Sequence, residues 1–291
     1  MSNSKLINFA FFGTSEFAVY VLDELEKANL LPSLVVTMPA KPQGRKLVVT
    51  PTPVDVWATK RNIATIRPEK TRTEDFEQEL RSKGNFDLFV VASYGKILPE
   101  NIIYLPKHKT LNVHPSLLPL LRGAAPIERS ILADMQDTGV TIMRLDKGTD
   151  SGPIVAQEKM HITPWPKDRI SFEIELGNHG GKLLADVIPK WVSGKIKETE
   201  QEHSASTHAP KIEKDEALLD LKGDARTNLL KVKAFYKWPK AYFFGTDTHD
   251  NKKRVIVNDA EIKDGIFTPT KVVPEGSHEM TFTEYLRGHK Y

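Results

Sequence analysis

The 291 residues include no cysteine. Disulfides, thiolate nucleophiles, iron–sulfur clusters and cysteine-ligated zinc are therefore excluded. Long apolar runs are missing too. The first apolar stretch, at residues 7–12, is too short to cross a bilayer and lacks the small-residue cleavage pattern of a signal peptide. A soluble, intracellular chain without a membrane partner is expected. Neither sign of charge dominates: 41 basic and 38 acidic residues leave a net charge of +3, which demands no polyanionic partner, although local clusters can still bind one. Internal repeats and low-complexity tracts are absent. What is present, 40% apolar and 27% charged residues, is ordinary globular composition. The length suits two domains or one large one, with ample core.

Along the chain, a mostly apolar run at 6–12 ends at Gly13-Thr14-Ser15. A helical pattern follows, with Phe17, Val21, Leu22 and Leu25 on one face, and then a strand at 34–37. Strand, helix, strand in that order predicts a parallel sheet with crossover helices. Residues 86–92, apolar apart from Asp87, suit a buried central strand. Further strands are expected at 111–114, 140–145 and 154–162, and helices at 123–135 and 170–192. The texture then turns polar and weakly periodic over 194–208, the mark of a linker. A helix at 216–235 and short strands at 241–244, 254–257 and 265–273 point to a small second domain, α+β or barrel-like.

The first turn holds only one glycine of a dinucleotide-binding fingerprint, so a nicotinamide or flavin reading is weak. The densest polar cluster is Asn112-Val-His-Pro-Ser-Leu-Leu-Pro119. Residues i and i+2 of a strand share a face, so Asn112 and His114 project together at the carboxyl end of a parallel strand, where open α/β sheets bind ligands. An amide can hold a developing oxyanion and an imidazole can move a proton near neutral pH. A carboxylate from the loop Asp146-Lys-Gly-Thr-Asp-Ser-Gly152 can orient that imidazole, although Asp and Gly populate such turns anyway. Without cysteine or a serine elbow, direct attack by the substrate's own nucleophile is favoured over covalent catalysis.

These residues, with Arg122-Gly123-Ala-Ala-Pro126-Ile127, Thr138-Gly139-Val-Thr-Ile142, Ala92-Ser-Tyr94-Gly95-Lys-Ile-Leu98-Pro99, Lys237-Trp238-Pro239 and Val273-Pro-Glu-Gly276, resemble the 10-formyltetrahydrofolate-dependent formyltransferases. Within that family the resemblance is greatest to those acting on methionyl-tRNA, and it spans nearly the whole chain. It implies a Rossmann-like, open, parallel-rich α/β sheet over residues 1–192 and a linker at 193–208. A small OB-like β-barrel that binds tRNA would follow at 209–291. The implied reaction moves a formyl group from 10-formyltetrahydrofolate, with no metal, to the amine of initiator methionyl-tRNA in the cytoplasm or an organelle of bacterial descent. A monomer is expected. Asn112, His114 and Asp150 take the family's catalytic positions. Ser116, Leu117, Leu118 and Pro119 take its folate-contacting stretch, with the Tyr94-Gly95 loop as another wall.

For tRNA, the resemblance points to Arg45 and Lys46 in a basic loop inserting at the acceptor end. Lys233 and Lys237 lie in a second basic stretch, 222–240, that equally suits a solvated helix face. Three departures stand out. Leu120-Leu121 replaces an Arg-Trp often found in the family, and the Arg45 loop is less densely charged. The hairpin normally found between the 255–257 strand and Val272-Val273 is missing, so a truncated barrel is expected. A sugar-nucleotide amine formyltransferase and a catalytically inactive RNA-binding homologue are the rival readings.

Overall fold

In the computed structural model, residues 7–43, 47–246 and 251–287 are described. The chain divides into two compact units, one of Met1–Arg122, Gly139–Met160 and Ile174–His208, the other of Gly123–Thr138, His161–Glu173 and Ala209–Tyr291.

The first unit is built on a seven-stranded sheet. Its strands are β1 (Phe9–Gly13), β2 (Leu34–Val36), β3 (Ala64–Ile66), β4 (Leu88–Ala92), β5 (Thr110–His114), β6 (Asp137–Arg144) and β7 (Ile154–His161). Their spatial order is β7-β6-β5-β4-β1-β2-β3. From β3 to β5 every pairing is parallel, and β6 lies antiparallel to β5. Every residue of β1, β4 and β5 is buried, as expected of strands covered on both faces. Ala10, Phe12, Phe89, Val91 and Tyr94 share one core cluster, with Phe12 stacked edge-on to Tyr94 at 5.6 Å. Helix Glu16–Lys27 buries Phe17, Val21, Leu22 and Leu25, the face read from its spacing. Within helix Arg169–Val192, Gly180 leaves room for Val113 of β5, which a Cβ would meet at 2.7 Å.

The chain runs from β1 outward to β2 and β3, then returns to place β4 on the other side of β1. That reversal opens a crevice beyond the carboxyl ends of β1 and β4, one strand away from Asn112 and His114. Two helices and one strand are among the elements of this unit that go beyond the sequence expectations. Helix Pro53–Lys60 starts from a Thr52 cap whose hydroxyl accepts from the Asp55 N–H at 3.1 Å. Helix Glu74–Ser82 is capped by Thr73, and β3 is only three residues long.

In the second unit the single helix expected at 216–235 is broken. A short 3-10 turn, Lys214–Ala217, leads to Leu218, which bridges to Tyr242 in parallel. Asp220 and Gly223 then turn the chain, and Asp224 caps the true helix, Ala225–Ala234, by accepting from the Thr227 N–H at 2.7 Å. Four antiparallel strands follow: β8 (Tyr242–Thr246), β9 (Lys252–Lys263), β10 (Ile266–Pro274) and β11 (Met280–Thr281). The strands read separately at 254–257 and 265–273 form one long hairpin. Its two-residue turn, Asp264-Gly265, holds both residues at positive φ, 52° and 78°, the twist a tight hairpin prefers. Leu229, Val232, Phe243, Val255, Val257, Phe267, Val272 and Tyr285 fill this unit's core. Among the described residues, no helix is long and apolar enough to cross a membrane.

Candidate active site

Asn112 and His114 stand two residues apart on β5, 8% and 4% exposed, with Val113 packed on the opposite face. β4 pairs beside them through Val91 and β6 through Met143 and Thr141. The His114 Nε2 lies 3.0 Å from the Leu121 carbonyl. A carbonyl only accepts, so Nε2 carries the hydrogen. Nδ1 faces the Asp150 carboxylate, with Oδ2 at 3.7 Å. The structure therefore brings Asn112, His114 and Asp150 to one end of the sheet. Among the described residues, no group hydrogen-bonds the Asn112 amide.

The loop after His114 is tied down by polar groups remote in sequence. The Ser116 hydroxyl donates to the Leu120 carbonyl at 2.6 Å. Thr141, fully buried, donates to the Ser116 carbonyl at 2.6 Å. Its hydroxyl accepts from the Leu118 N–H at 3.1 Å and the Gln157 amide at 2.8 Å, so its hydrogen-bonding capacity is filled. Ser116 and Leu118 are buried; Leu117 and Pro119 are half-buried.

Asp150 sits in a loop built by its own sequence. Asp146 accepts from the Gly148 N–H at 2.9 Å and the Ser151 hydroxyl at 3.0 Å. Gly152 passes so close to the Arg144 carbonyl that a Cβ would lie 2.0 Å from it. Asp150 holds φ at 49°, a left-handed conformation that Asp tolerates better than most residues. Its backbone is gripped by Gln201, whose amide donates to the Asp150 and Gly152 carbonyls at 2.9 and 2.6 Å. Gln201, Leu121, Arg122 and Thr141 escaped the sequence reading as site residues. No local signal marks a glutamine in a polar stretch or a backbone carbonyl.

The Tyr94-Gly95 loop lies at the mouth of the crevice between β1 and β4. Thr14 fastens it, donating its N–H to the Ser93 carbonyl at 3.1 Å and its hydroxyl to the Tyr94 carbonyl at 2.7 Å. The Tyr94 side chain turns into the core; burial pushes its phenol pKa up, and among the described residues its hydroxyl has no hydrogen-bond partner. Gly95, at φ 84°, has open space where a Cβ would stand.

Of the basic residues, Arg45 and Lys46 lie outside the described residues. The described residues Lys41–Gln43 and Val48–Thr50 pair antiparallel. Lys233 pairs with Asp259 at 3.1 Å, Arg226 bonds Asp134 through two nitrogens at 2.9 and 2.7 Å, and Lys231 donates to the Leu218 carbonyl at 2.8 Å. Lys237 is exposed.

The formyl transferase family matches residues 5–188. A methionyl-tRNA formyltransferase from Sulfurihydrogenibium sp. is 43% identical over 232 residues, covering 80% of this chain and 74% of that one. Among solved structures, methionyl-tRNA formyltransferase from Clostridium thermocellum superposes with a TM-score of 0.58 at 14% identity, over 95% of this chain and 100% of that one. HypX from Aquifex aeolicus in complex with tetrahydrofolic acid gives 0.65 at 17% identity, over 97% of this chain. The chain spans only 47% of HypX. At these identities the two structures bear on the fold alone.

Proposed function

We propose, from the premise that the chain belongs to the methionyl-tRNA formyltransferase family, that it moves a formyl group from 10-formyltetrahydrofolate to the amine of initiator methionyl-tRNA. One observation carries the proposal: a buried imidazole at the carboxyl end of β5, pinned at Nε2 by a backbone carbonyl and flanked at Nδ1 by the Asp150 carboxylate at 3.7 Å.

In this reading the neutral methionyl amine attacks the formyl carbon. Asn112 donates an amide N–H to the formyl oxygen as negative charge gathers there. With Nε2 committed to Leu121, His114 has Nδ1 for proton traffic. It takes the proton the amine loses as the new C–N bond forms and passes it to the folate nitrogen as the old bond breaks. Asp150 stabilises the ring while it carries that proton. Ser116, Leu118 and Tyr94, with side chains turned inward, hold the shape of the folate wall; Leu117, Pro119 and Gly95 present it. The catalytic body is assigned to residues 1–192 and the linker to 193–208. Residues 209–291 supply tRNA contacts through Lys233 on helix Ala225–Ala234 and Lys237 just beyond it, joined by Arg45 and Lys46. The chain acts as a monomer.

The test combines purified protein, labelled 10-formyltetrahydrofolate and either initiator methionyl-tRNA or an amino-sugar nucleotide. Label entering the tRNA is expected. Label entering only the sugar nucleotide overturns the substrate, and tRNA retained on a filter without turnover overturns the enzyme.

A further inference from the structure

Gln201 lies in the polar stretch that reads as a linker, yet it is 4% exposed. The segment around it is docked: Thr199 exchanges two backbone hydrogen bonds with Ile154, at 2.7 and 2.8 Å. The Gln201 amide is fully used. Nε2 gives one hydrogen to the Asp150 carbonyl and the other to the Gly152 carbonyl, at 2.9 and 2.6 Å. Oε1 accepts from Nε and Nη2 of Arg122, at 3.0 and 2.6 Å. Two donors and two lone pairs are all an amide has. Arg122, itself 7% exposed, directs Nη2 also at Nδ1 of His203, 3.0 Å away.

The two strands of chain that this amide joins are the two that flank His114. Arg122 directly follows Leu121, whose carbonyl holds Nε2. Asp150 faces Nδ1 from the other side. Each of these neighbours sits at positive φ, 58° for Leu121 and 49° for Asp150. That region is unfavourable for residues other than glycine, and it persists where surroundings enforce it. Gln201 touches no reacting atom, but it fixes the distance between the acceptors on either side of the imidazole.

We infer that Gln201 is a positioning residue for formyl transfer, clamping the Asp150 loop to the Leu121-Arg122 segment so that His114 keeps its tautomer and orientation. The inference rests on the proposed function, and its test reads the clamp separately. Gln201→Glu keeps the one oxygen that accepts from Arg122 but replaces the donating nitrogen by a second carboxylate oxygen, which faces the carbonyls of Asp150 and Gly152 with no hydrogen to give. The Arg122 side is preserved, so the fold is expected to survive with a melting temperature close to wild type. The expected kinetic result is a kcat lower by about 10–100-fold with KM for both substrates within about threefold. Loss of orientation alone reaches that size. Gln201→Asn, one methylene short of both contacts, is expected to fall between the two.

The second readout needs no substrate. Imidazole 15N spectra of histidine-labelled protein, with His114 assigned by its loss in His114→Asn, are expected to show Nε2–H alone in wild type and mixed tautomers in Gln201→Glu. An unchanged tautomer in both Gln201 variants overturns the inference, as does a kcat within twofold of wild type. Wild-type protein that fails to formylate methionyl-tRNA counts against the proposed function instead, and the tautomer comparison still decides the role of Gln201.

Discussion

Asp150→Asn isolates the charge opposite His114. The substitution keeps the size and the backbone demands of the loop, since Asn tolerates positive φ as well as Asp does. What it removes is one negative charge 3.7 Å from Nδ1. For unit charges near 4 Å in partly buried surroundings, that attraction is about 4 kcal/mol at an effective dielectric of about 20. The interaction matters only while the ring carries the extra proton, so it acts on the barrier rather than on substrate binding. At 1.36 kcal/mol per decade, its full loss corresponds to about a thousandfold in kcat. Water entering the site replaces part of it, so the expected loss is about 10²–10³-fold, with KM for folate and for methionyl-tRNA little changed. Single-turnover formylation under saturating tRNA measures this directly. A kcat within threefold of wild type would refute the assignment of Asp150 as the stabiliser of a proton-carrying imidazole.

His114→Ala should lower kcat by roughly 10²–10⁴-fold, the range for loss of a general acid–base group; unchanged turnover removes it from the mechanism. Gly152→Ala drives a methyl group into the Arg144 carbonyl, 2.0 Å from the ideal Cβ. A destabilisation of about 2–3 kcal/mol is expected in urea unfolding, and unaltered stability would show that the loop yields freely. In the second unit, Arg129 holds the Glu216 carboxyl below the usual carboxylate range, chiefly by hydrogen bonding to it at 2.5 and 2.9 Å. Such a group adds stability above its unfolded pKa and loses it as pH falls through the folded value. Glu216→Gln should therefore cost about 1 kcal/mol at pH 7 and progressively less below about pH 4; equal losses at pH 7 and pH 3 contradict the ion pair. Lys237→Ala should flatten the slope of log K for tRNA against log salt by about one phosphate contact. Lys233→Ala should flatten it by less than one contact, because Asp259 already pairs with that lysine.

How much of the fold can be read in advance depends on how much of it is buried. β1, β4 and β5 announce themselves because strands covered on both faces are almost wholly apolar. β3 does not, because only Ile66 of its three residues is buried. Helix Glu74–Ser82 buries just Phe76 and Leu80, too few for a convincing periodicity, although Thr73 with acidic residues after it is a legible start signal. The broken helix at 216–235 fails for a related reason. Apolar residues continue through Leu218, Leu219 and Leu221 at spacings that fit a helix, and only the turn and cap at Asp220, Gly223 and Asp224 show where the chain changes direction. The Asp264-Gly265 pair is a readable hairpin turn between two β-rich runs, and the structure joins those runs there.

The site divides along a different line. Asn112 and His114 are legible because strand alternation alone puts them together; the glycine-bearing loop offers Asp146 and Asp150 alike, and the choice of Asp150 is what the family resemblance implies. Nothing local shows which nitrogen of His114 is committed, because that is decided by the carbonyl of Leu121. The tautomer in turn determines the chemistry: with Nε2 bonded to a fixed acceptor, the proton must move at Nδ1, on the side where Asp150 stands. Sequence spacing supplied three polar side chains. Their assignment to roles depends on backbone carbonyls and on a glutamine that approaches from a segment whose composition says only that it is polar. A buried amide with all four of its hydrogen-bonding positions filled has little freedom to move, so Gln201 adds to the loop's own turn residues a tie to Arg122 that they do not make.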